Sequence, residues 1–383
     1  MNKEPIHLRI LIFQMITLFV IVSVSCNSDN DTPTESIHQT PPQITEMTSS
    51  CFYNATVVIN GKNFSNHIEE NIVKFGSIEG KVVKSSQHSL TVYAPDLGDA
   101  TSAQVTVTYN DLVSNARVIQ VDVDQNKVAT FQWTSFSVRS GITYKTGQLH
   151  LFGSELRRIY VLDVTLDESN TLGIGFSAVN QTTVEMCKSY FATAGINAGY
   201  FPMSGASDKD PYIRIEGKTV QEGHVGVNQI FTNSALLIHN NVATVRRFTE
   251  SGTILNLVAA SIPVPVAENV IVCGPMLVKD GVLEELSTTS GHNTSSTART
   301  GLGVTADGKR VFMVVADTGG EVKGVTTPQL AKILQALGAV NAMNFDGGGS
   351  STMFVKDLGI NGLVNLPYGS STQRKVKSVI YVR

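Results

Sequence analysis

The sequence predicts two folded domains: an all-β, immunoglobulin-like sandwich, and after it a larger α+β domain with mixed β-sheets and a β-α-β crossover. Short runs in which apolar and polar residues alternate fill residues 41–123, and turn residues such as Asn60-Gly61 separate them. This pattern is typical of a sandwich. From residue 127 to residue 383, strand-like runs are mixed with helical patterns, which indicates a different architecture.

The expected sandwich strands have a two-residue period that places every second side chain in a core. Gly76, Gly80 and Pro95-Asp96 supply turns between them. These strands are expected at residues 56–59, 72–75, 90–93, 105–108 and 117–121.

In the larger domain, the first helix is expected over residues 182–194. Val184, Cys187, Tyr190 and Phe191 recur there at helical spacing, and Gly195 follows. Apolar runs typical of strands lie on both sides of this helix, at residues 158–164, 172–176, 235–239, 256–260, 311–316 and 378–382.

The second helix has clearer start and stop signals. Thr327 can cap it, Pro328 lies in its first turn, and Gly338 ends it. Its apolar stripe consists of Leu330, Ile333, Leu334 and Leu337. Because the helix lies between the apolar runs 311–316 and 339–345, the segment predicts a β-α-β crossover that joins two parallel strands with right-handed connection.

Two carboxylates follow the strands of this crossover. Asp317 comes directly after the first strand and Asp346 directly after the second, so both are expected at the sheet edge where ligands gather in α/β folds. If the strands are neighbours, the carboxylates are about 4.8 Å apart and can act as a pair. If another strand intervenes, the spacing roughly doubles and they do not form a close pair.

Three consecutive glycines follow the second carboxylate, and two serines follow the glycines. Consecutive glycines lose much backbone entropy on folding, so some feature must require them. Amides that converge without side chains can form an anion cradle, to which hydroxyl groups add donors. The alternative is a tight turn that leads from the strand into the next element. The residues are Gly347, Gly348, Gly349, Ser350 and Ser351.

The N-terminus predicts export. Lys3 and Arg9 precede an apolar stretch over residues 10–22, which is typical of a signal peptide and too short to span a bilayer. Small residues before Cys26 resemble a bacterial lipobox, in which Cys26 is lipidated after cleavage; an ordinary secretory peptide is the alternative. We expect a signal peptide over residues 1–25 and a polar tether over 26–40.

This N-terminus predicts a location at the outer membrane or cell surface, with the periplasmic face as an alternative. The N-terminal lipid is expected to be the only membrane contact. The formal net charge of −3 comes without a clustered basic face, so nucleic acid is not an expected partner. Cys51, Cys187 and Cys273 have no metal-ligand spacing and are expected as buried free thiols. No metal or cofactor is expected.

Several motifs in the sandwich resemble one known module. They are Pro42-x-Ile44, Val57-Val58-Ile59-Asn60-Gly61-Lys62-Asn63-Phe64, Val73-x-Phe75-Gly76 and Leu90-x-Val92-x-Ala94-Pro95. Together they resemble an IPT/TIG immunoglobulin-like domain. The resemblance implies a spacer, or an arm that contacts carbohydrate or a partner.

The larger domain carries dispersed motifs in a fixed order. They are Ile196-Asn197-Ala198-Gly199-Tyr200-Phe201, Gly274-Pro275-Met276-Leu277-Val278, Arg299-Thr300-Gly301-Leu302-Gly303, Asn344-Phe345-Asp346-Gly347-Gly348-Gly349-Ser350-Ser351-Thr352-Met353, Asn365-x-Pro367 and Arg374-x-Val376. Residues 155–383 thereby resemble the phosphodiester glycosidase family, whose members include N-acetylglucosamine-1-phosphodiester α-N-acetylglucosaminidases. Where the family often has His-Pro this chain has Thr297-Ala298, and where it commonly has Gly-Arg this chain has Thr318-Gly319-Gly320.

The resemblance implies a hydrolase that cleaves a sugar-1-phosphodiester bond in an extracytoplasmic glycan and releases free sugar. Asp346 is expected as the catalytic carboxylate and Asp317 as the second. Arg299 is expected to bind phosphate bidentately, with a surface salt bridge as its alternative. Asn197 and Asn344 are expected to hold sugar hydroxyls or an acetamido group, or else to bridge loops as buried amides.

The glycines and serines of the loop complete the expected substrate site. His292 lies in a Ser/Thr-rich stretch over residues 286–297, where a solvated loop histidine and a catalytic one are both considered. The expected partner is a phosphorylated carbohydrate or glycan. A glycan-binding lipoprotein without turnover and a phosphodiesterase that cuts the other phosphate ester are the alternative functions.

Overall fold

The computed structural model describes residues 40–202, 211–222, 232–247, 267–366, 368 and 372–383. The expected signal peptide, the lipidation site at Cys26, the tether up to residue 39, and the strand expected at 256–260 lie outside the described residues. Within the described part of the chain, no helix is long and apolar enough to cross a membrane.

The N-terminal part of the described chain is an all-β sandwich, in agreement with the prediction. Its strands are β1 (Gln43–Met47), β2 (Ser50–Cys51), β3 (Thr56–Lys62), β4 (Ile72–Phe75), β5 (Ile78–Ser86), β6 (Ser89–Tyr93), β7 (Ser102–Tyr109), β8 (Leu112–Val113) and β9 (Arg117–Val121). They follow the order β1-β3-β6-β5-β4-β7-β9-β2, and β8 pairs with β7. All five predicted strands are confirmed.

The two-residue period of these strands builds the sandwich core. In β3, Val57 and Ile59 are buried whereas Val58 between them is exposed, and β4 buries Val73 and Phe75 in the same way. Strand geometry sends successive side chains to opposite faces, so the alternation in the sequence becomes an inner and an outer face.

The larger domain begins with a helix and three long antiparallel strands. Its elements up to the middle of the domain are α1 (Val123–Thr130), β10 (Thr134–Arg139), β11 (Ile142–Leu151), β12 (Glu155–Thr165), β13 (Leu172–Gln181), α2 (Thr183–Ser189), β14 (Ala194–Asn197), β15 (Ile213–Ile215), β16 (Lys218–Gln221), β17 (Ser234–His239) and β18 (Val242–Arg247).

The rest of the domain contains the predicted crossover segment. Its elements are β19 (Asn269–Cys273), β20 (Met276–Lys279), β21 (Val282–Leu283), α3 (Gly291–Thr294), β22 (Arg299–Val304), β23 (Arg310–Ala316), α4 (Thr327–Ala336), β24 (Asn341–Asn344), β25 (Met353–Val355) and β26 (Val376–Val382). The chain as described is mostly β.

One eight-stranded sheet positions the candidate site. Its order is β10-β11-β12-β23-β22-β24-β20-β21. Strand β22 pairs antiparallel with β23 on one side and with β24 on the other. The two strands joined by α4 therefore run in the same direction with β22 between them, which is the second of the two arrangements that the sequence left open.

Both faces of this sheet are buried, which explains the continuous apolar runs of its central strands. In β23, Val311, Met313 and Val315 face a core shared with two smaller sheets, of order β13-β26-β14-β25 and β16-β15-β19-β17-β18. Phe312 and Val314 face the other way, toward a second core that includes residues of α4. A strand buried on both faces has no polar alternation.

The two predicted helices differ in how well their ends were predicted. In α4 the cap is Thr326, whose side chain accepts from the Gln329 amide, so the prediction of Thr327 as the cap was one residue late. The first predicted helix was too long: α2 ends at Ser189, and Ala194 already lies in β14. Phe191, expected on the apolar face, has φ 54° and is 88% exposed.

Residues 41–383 form one compact unit, and α1 connects its two parts. The side chain of Asp122 caps α1 and also pairs with Lys332 of α4, at 2.5 Å. The Gln125 side chain donates to the Gln335 side chain at 2.6 Å.

Helix α1 also contacts the sandwich. The side-chain amide of Asn126 donates to Gly98 O and accepts from the main-chain N–H of Tyr53. Helix α1 therefore bonds to both domains.

The three cysteines within the described residues confirm the prediction of buried free thiols. Cys51 lies in the sandwich core, whereas Cys187 and Cys273 lie in cores of the larger domain. Burial raises the pKa of the Cys51 thiol to about 11 and that of Cys273 to about 12, which keeps both protonated at neutral pH.

Candidate active site

The candidate site lies at the edge of the eight-stranded sheet where β23 and β24 end and β22 begins. Arg299, the first residue of β22, pairs with Ala316, and Gly301 pairs with Asn344. With neighbouring strands about 4.8 Å apart, the strands that carry Asp317 and Asp346 are about 10 Å apart. The two carboxylates thus share an edge, but the strand between them keeps them from forming a close pair.

Asp346 is held in place by its main chain. Its amide donates to Ala198 O at 2.9 Å, and its carbonyl accepts from the Asn197 side chain at 2.7 Å. Burial raises the pKa of its carboxyl to about 6, although the Ser350 hydroxyl and the Gly347 amide donate to it. A carboxyl with this pKa changes its charge close to neutral pH, which is a common property of catalytic acids and bases.

Asp317 has a different environment. It is buried, and its two oxygens accept from the amides of Thr318 at 3.0 Å and Leu366 at 2.9 Å. Burial raises the pKa of the Asp317 carboxyl, and the bonds from the Leu366 and Thr318 amides oppose this effect. Asp317 thus ties the chain around residue 366 to the end of β23.

The glycine loop forms a tight turn. A single 3₁₀ turn spans Gly348–Ser350, and Gly348 has φ 62°, a conformation that favours glycine. The Gly348 amide donates to Ala298 O at 2.8 Å, and the Ser350 and Ser351 amides donate to carbonyls of the loop itself. The Gly347 amide donates to the Asp346 carboxylate. The Gly348, Ser350 and Ser351 amides thus bond to carbonyls of the protein, which agrees with the tight-turn alternative, and the substrate-binding role of the loop stays a prediction.

The two serines of the loop are buried. The Ser350 hydroxyl bonds to Asp346 and lies 3.4 Å from Arg374 Nη1. The Ser351 hydroxyl has no hydrogen-bond partner among the described residues. Ser350 therefore connects the carboxylate to a nearby cation.

Arg299 is 3% exposed, so the predicted alternative of a surface salt bridge does not apply. Its Nη2 donates to the carbonyls of His292 and Ser295, and its Nε donates to Val325 O. Two of the three guanidinium nitrogens of Arg299, Nε and Nη2, therefore donate to main-chain carbonyls. Its charge still lowers the pKa of Asp346 and so acts on the site.

The two predicted asparagines are both fully buried. Asn197 donates to Asp346 O and accepts from the Thr300 hydroxyl and the Thr352 amide, so it matches the alternative of a bridging amide. Asn344 donates to Gly274 O and to the Tyr200 hydroxyl, but its Oδ1 has no hydrogen-bond partner among the described residues. Of the two asparagines, only Asn344 has a side-chain oxygen without a hydrogen-bond partner among the described residues.

A tyrosine and a histidine complete this part of the site. The Tyr200 hydroxyl donates to Gly274 O at 2.7 Å and lies 3.2 Å from His292 Nε2. Because the hydroxyl has one hydrogen, the His292 contact is best formed by an Nε2–H group. Burial, reinforced by the Arg299 charge, lowers the pKa of His292 to about 4. His292 is therefore a half-buried neutral side chain at the site, and its segment forms α3.

The sequence of this part of the chain matches a known protein family. The sequence profile of the phosphodiester glycosidase family matches residues 190–383, which include every predicted site residue of the larger domain. The chain belongs to the phosphodiester glycosidase family. A second profile, that of the IPT/TIG domain, matches residues 42–121. A comparison with curated proteins gives no match.

The chain is also similar to several solved structures. A hypothetical protein from Synechocystis is 14% identical over 90% of this chain and 80% of its own, with a TM-score of 0.44. The catalytic domain of zebrafish N-acetylglucosamine-1-phosphodiester α-N-acetylglucosaminidase, auto-inhibited by its pro-peptide, is 19% identical. The match covers 66% of this chain and 87% of that domain, with a TM-score of 0.48.

The sequence analysis assigned no role to one residue of the candidate site. Arg374 lies just before β26, is exposed, and places its guanidinium over the glycine loop. Its charge lowers the pKa of Asp346. The motif Arg374-x-Val376 marked the position, but only the pairing of distant segments shows that it meets the loop. Among the described residues, no group of three or more His, Cys, Asp or Glu is placed to hold a metal ion.

Proposed function

We propose that the larger domain hydrolyses a sugar-1-phosphodiester, N-acetylglucosamine-1-phosphodiester in type, and releases the free sugar from an extracytoplasmic glycan. The observation that carries the proposal is Asp346. Its carboxyl has a pKa raised to about 6, and it lies in the electrostatic field of Arg374 and Arg299 at an edge shared by the family motifs. A carboxylate beside guanidinium groups suits a substrate that has both a reacting sugar carbon and a phosphate.

In this reaction the bond between the sugar C1 and the phosphate oxygen breaks, water supplies the new hydroxyl on C1, and the other proton of the water passes to solvent or to the departing phosphate. Positive charge develops on the sugar ring, and the ionised Asp346 carboxylate stabilises it. The phosphate monoester leaves with its bonding electrons as an anion, so it needs little protonation. Cationic groups of the protein that neutralise the negative charge developing on the phosphate assist the departure of the phosphate.

The other predicted residues support this centre in different ways. Asp317, expected as a second catalytic carboxylate, accepts a hydrogen bond from the main-chain amide of Leu366. Asn197 positions Asp346 through its carbonyl. We assign Asn344 to the sugar side of the site: its Oδ1 has no hydrogen-bond partner among the described residues, and because it is buried, a sugar hydroxyl reaches it only after the side chains around it move.

The test compares the mature protein with its Asp346→Asn variant on UDP-linked or aryl N-acetylglucosamine 1-phosphodiesters. We expect the variant to lose about 100-fold or more in kcat, because the carboxylate charge acts in the transition state. Asp357→Asn is the matched control, since Asp357 is an exposed turn residue. Equal rates of sugar release by the wild type and Asp346→Asn would remove Asp346 from the mechanism.

The identity of the product separates the alternatives. Free sugar supports the proposed cleavage, whereas sugar phosphate shows cleavage of the other phosphate ester. A protein that binds glycans and releases neither product is a glycan-binding protein without turnover. Each result is read directly by chromatography of the reaction mixture.

We also propose that Cys26 carries a lipid and that the protein is anchored outside the cytoplasm, at the outer membrane or cell surface. The apolar stretch at residues 10–22 and the small residues before Cys26 support this. Mass spectrometry of the mature N-terminus is the test. An unmodified N-terminus, or equal membrane association of Cys26→Ser and the wild type, contradicts the proposal.

A further inference from the structure

Arg374 differs from Arg299 in what its guanidinium contacts. Arg299 is almost fully buried and donates to three main-chain carbonyls. Arg374 is exposed, and among the described residues its side chain has one hydrogen bond, from Nη1 to the Ser350 hydroxyl at 3.4 Å. No ion pair joins Arg374 to a carboxylate of the described residues. Within this part of the chain, its other N–H donors have no acceptor and can bind a ligand.

The glycine loop is shaped to admit this guanidinium. A Cβ atom on Gly349 would lie 2.8 Å from Arg374 Nη2 and 3.2 Å from its Nε. Contacts this short require a shift, so a glycine at this position lets the planar group approach the backbone closely. The approach places the cation next to Ser350, whose hydroxyl bonds to the Asp346 carboxylate.

We propose that Arg374 binds the phosphate group of the substrate, the role expected from sequence for Arg299. The inference rests on the proposed function, because it assigns the phosphate position in the same site. A guanidinium presents paired N–H donors that match two phosphate oxygens. A phosphodiester anion beside the Asp346 carboxylate also needs a cation to offset the repulsion between the two negative charges. Arg374 is placed to do both.

Three variants test this assignment: Arg374→Gln, which removes the charge; Arg374→Lys, which keeps the charge without the fork; and Lys375→Gln, which removes a charge from the adjacent exposed residue. On an aryl N-acetylglucosamine 1-phosphodiester, we expect Arg374→Gln to lose about 100-fold in kcat/KM. Arg374→Lys should lose less, and Lys375→Gln should stay within about twofold of the wild type. Thermal unfolding of each variant checks that it folds.

If the wild type hydrolyses the phosphodiester and folded Arg374→Gln matches it within about twofold, the assignment is wrong while the proposed function stands. If Arg374→Gln does not fold, Arg374→Lys takes its place. A folded Arg374→Lys whose kcat/KM is within about twofold of the wild type then shows that the assignment is wrong.

If the wild type releases no sugar, the proposed function fails, and binding of N-acetylglucosamine 1-phosphate measured by calorimetry decides the assignment. Binding that weakens about tenfold or more in Arg374→Gln, but not in Lys375→Gln, supports Arg374 as the phosphate ligand. Equal binding by the three proteins, or no binding by the wild type, overturns it.

Discussion

Asp346 shows how a single residue links stability to function. A carboxyl whose pKa is raised to about 6 in the folded protein binds its proton more tightly there than in the unfolded chain. Between about pH 4 and pH 6 the folded state therefore holds more protons, and the free energy of unfolding falls as pH rises. Above pH 6 the ionised, desolvated carboxylate destabilises the fold by about 3 kcal/mol, at 1.36 kcal/mol per pKa unit.

Because ionisation of Asp346 lowers the free energy of unfolding, its replacement by asparagine has a predictable effect. The neutral amide removes the charge that burial disfavours, so we expect the free energy of unfolding to rise by about 1–3 kcal/mol at pH 8 and by much less at pH 4. Urea denaturation across this pH range measures the effect. Asp357→Asn, which makes the same change at an exposed turn outside the site, is measured alongside as the control. A variant that is less stable than the wild type at pH 8 would contradict the prediction.

Residue types at the site were predictable, whereas their contacts were not. Sequence motifs brought Asp346, Arg299, Asn197 and Asn344 into one hypothesis, and the structure does place them at neighbouring positions. Whether a guanidinium meets carbonyls or solvent depends on strands that are remote in sequence, and the sequence does not show this. Arg299 donates to the carbonyls of His292, Ser295 and Val325, whereas Arg374 donates to no carbonyl of the described residues.

At the scale of the element, α4 decides where Asp346 lies. The helix carries the chain from β23 over β22 to β24, and its buried residues Leu330, Ile333 and Leu334 pack on the sheet. Its N-terminus is closed by a capping box in which Thr326 and Gln329 each accept from the other's amide. A capping box pairs two amides that the helix itself leaves without partners.

We predict that Thr326→Ala lowers the free energy of unfolding by about 1 kcal/mol, because the Gln329 amide loses its acceptor. Thr326→Ser, which keeps the hydroxyl, should stay close to the wild type. Chemical denaturation of the three proteins measures the difference. If the serine variant is as unstable as the alanine variant, the cap is not the cause.

The ends of α2 show what periodicity alone misses. The pattern at residues 182–194 is helical in period, but the chain must turn at Phe191 so that Ala194 can pair with both Val355 and Val382. Tyr190 packs against Tyr381, with ring centroids 5.0 Å apart, at the end of the helix. The partners that shorten the helix are about 160 to 190 residues away along the chain, so no local pattern contains them.

For the molecule as a whole, α1 determines how the two domains are joined. Asn126 is buried, and its side chain accepts from the Tyr53 amide and donates to Asp96 and Gly98 of the sandwich. Val128, on the same helix, belongs to a core of the larger domain. Helix α1 therefore bonds to the sandwich and packs in a core of the larger domain.

We predict that Asn126→Ala loosens this joint. The Tyr53 amide and Gly98 carbonyl lose their partner, at a cost of about 2 kcal/mol, and α1 opens more often. Limited trypsin digestion should then cleave faster after Lys127. Asn71→Ala is the matched control, since Asn71 is a buried amide within the sandwich. Equal cleavage rates for the two variants would show that Asn126 does not hold the joint.

The sequence by itself determined the sandwich, the helix α4, the buried thiols and the residues of the family motifs, because each depends on local period or on residue type. Tertiary structure decided three other points: that β22 separates the two carboxylates, that three amides of the glycine loop bond to carbonyls of the protein, and that Arg299 rather than Arg374 donates to main-chain carbonyls of the described residues. These depend on which main-chain groups surround a side chain. Strand pairing between distant segments sets those surroundings, and hydrogen bonds act only over the short distances that such pairing creates.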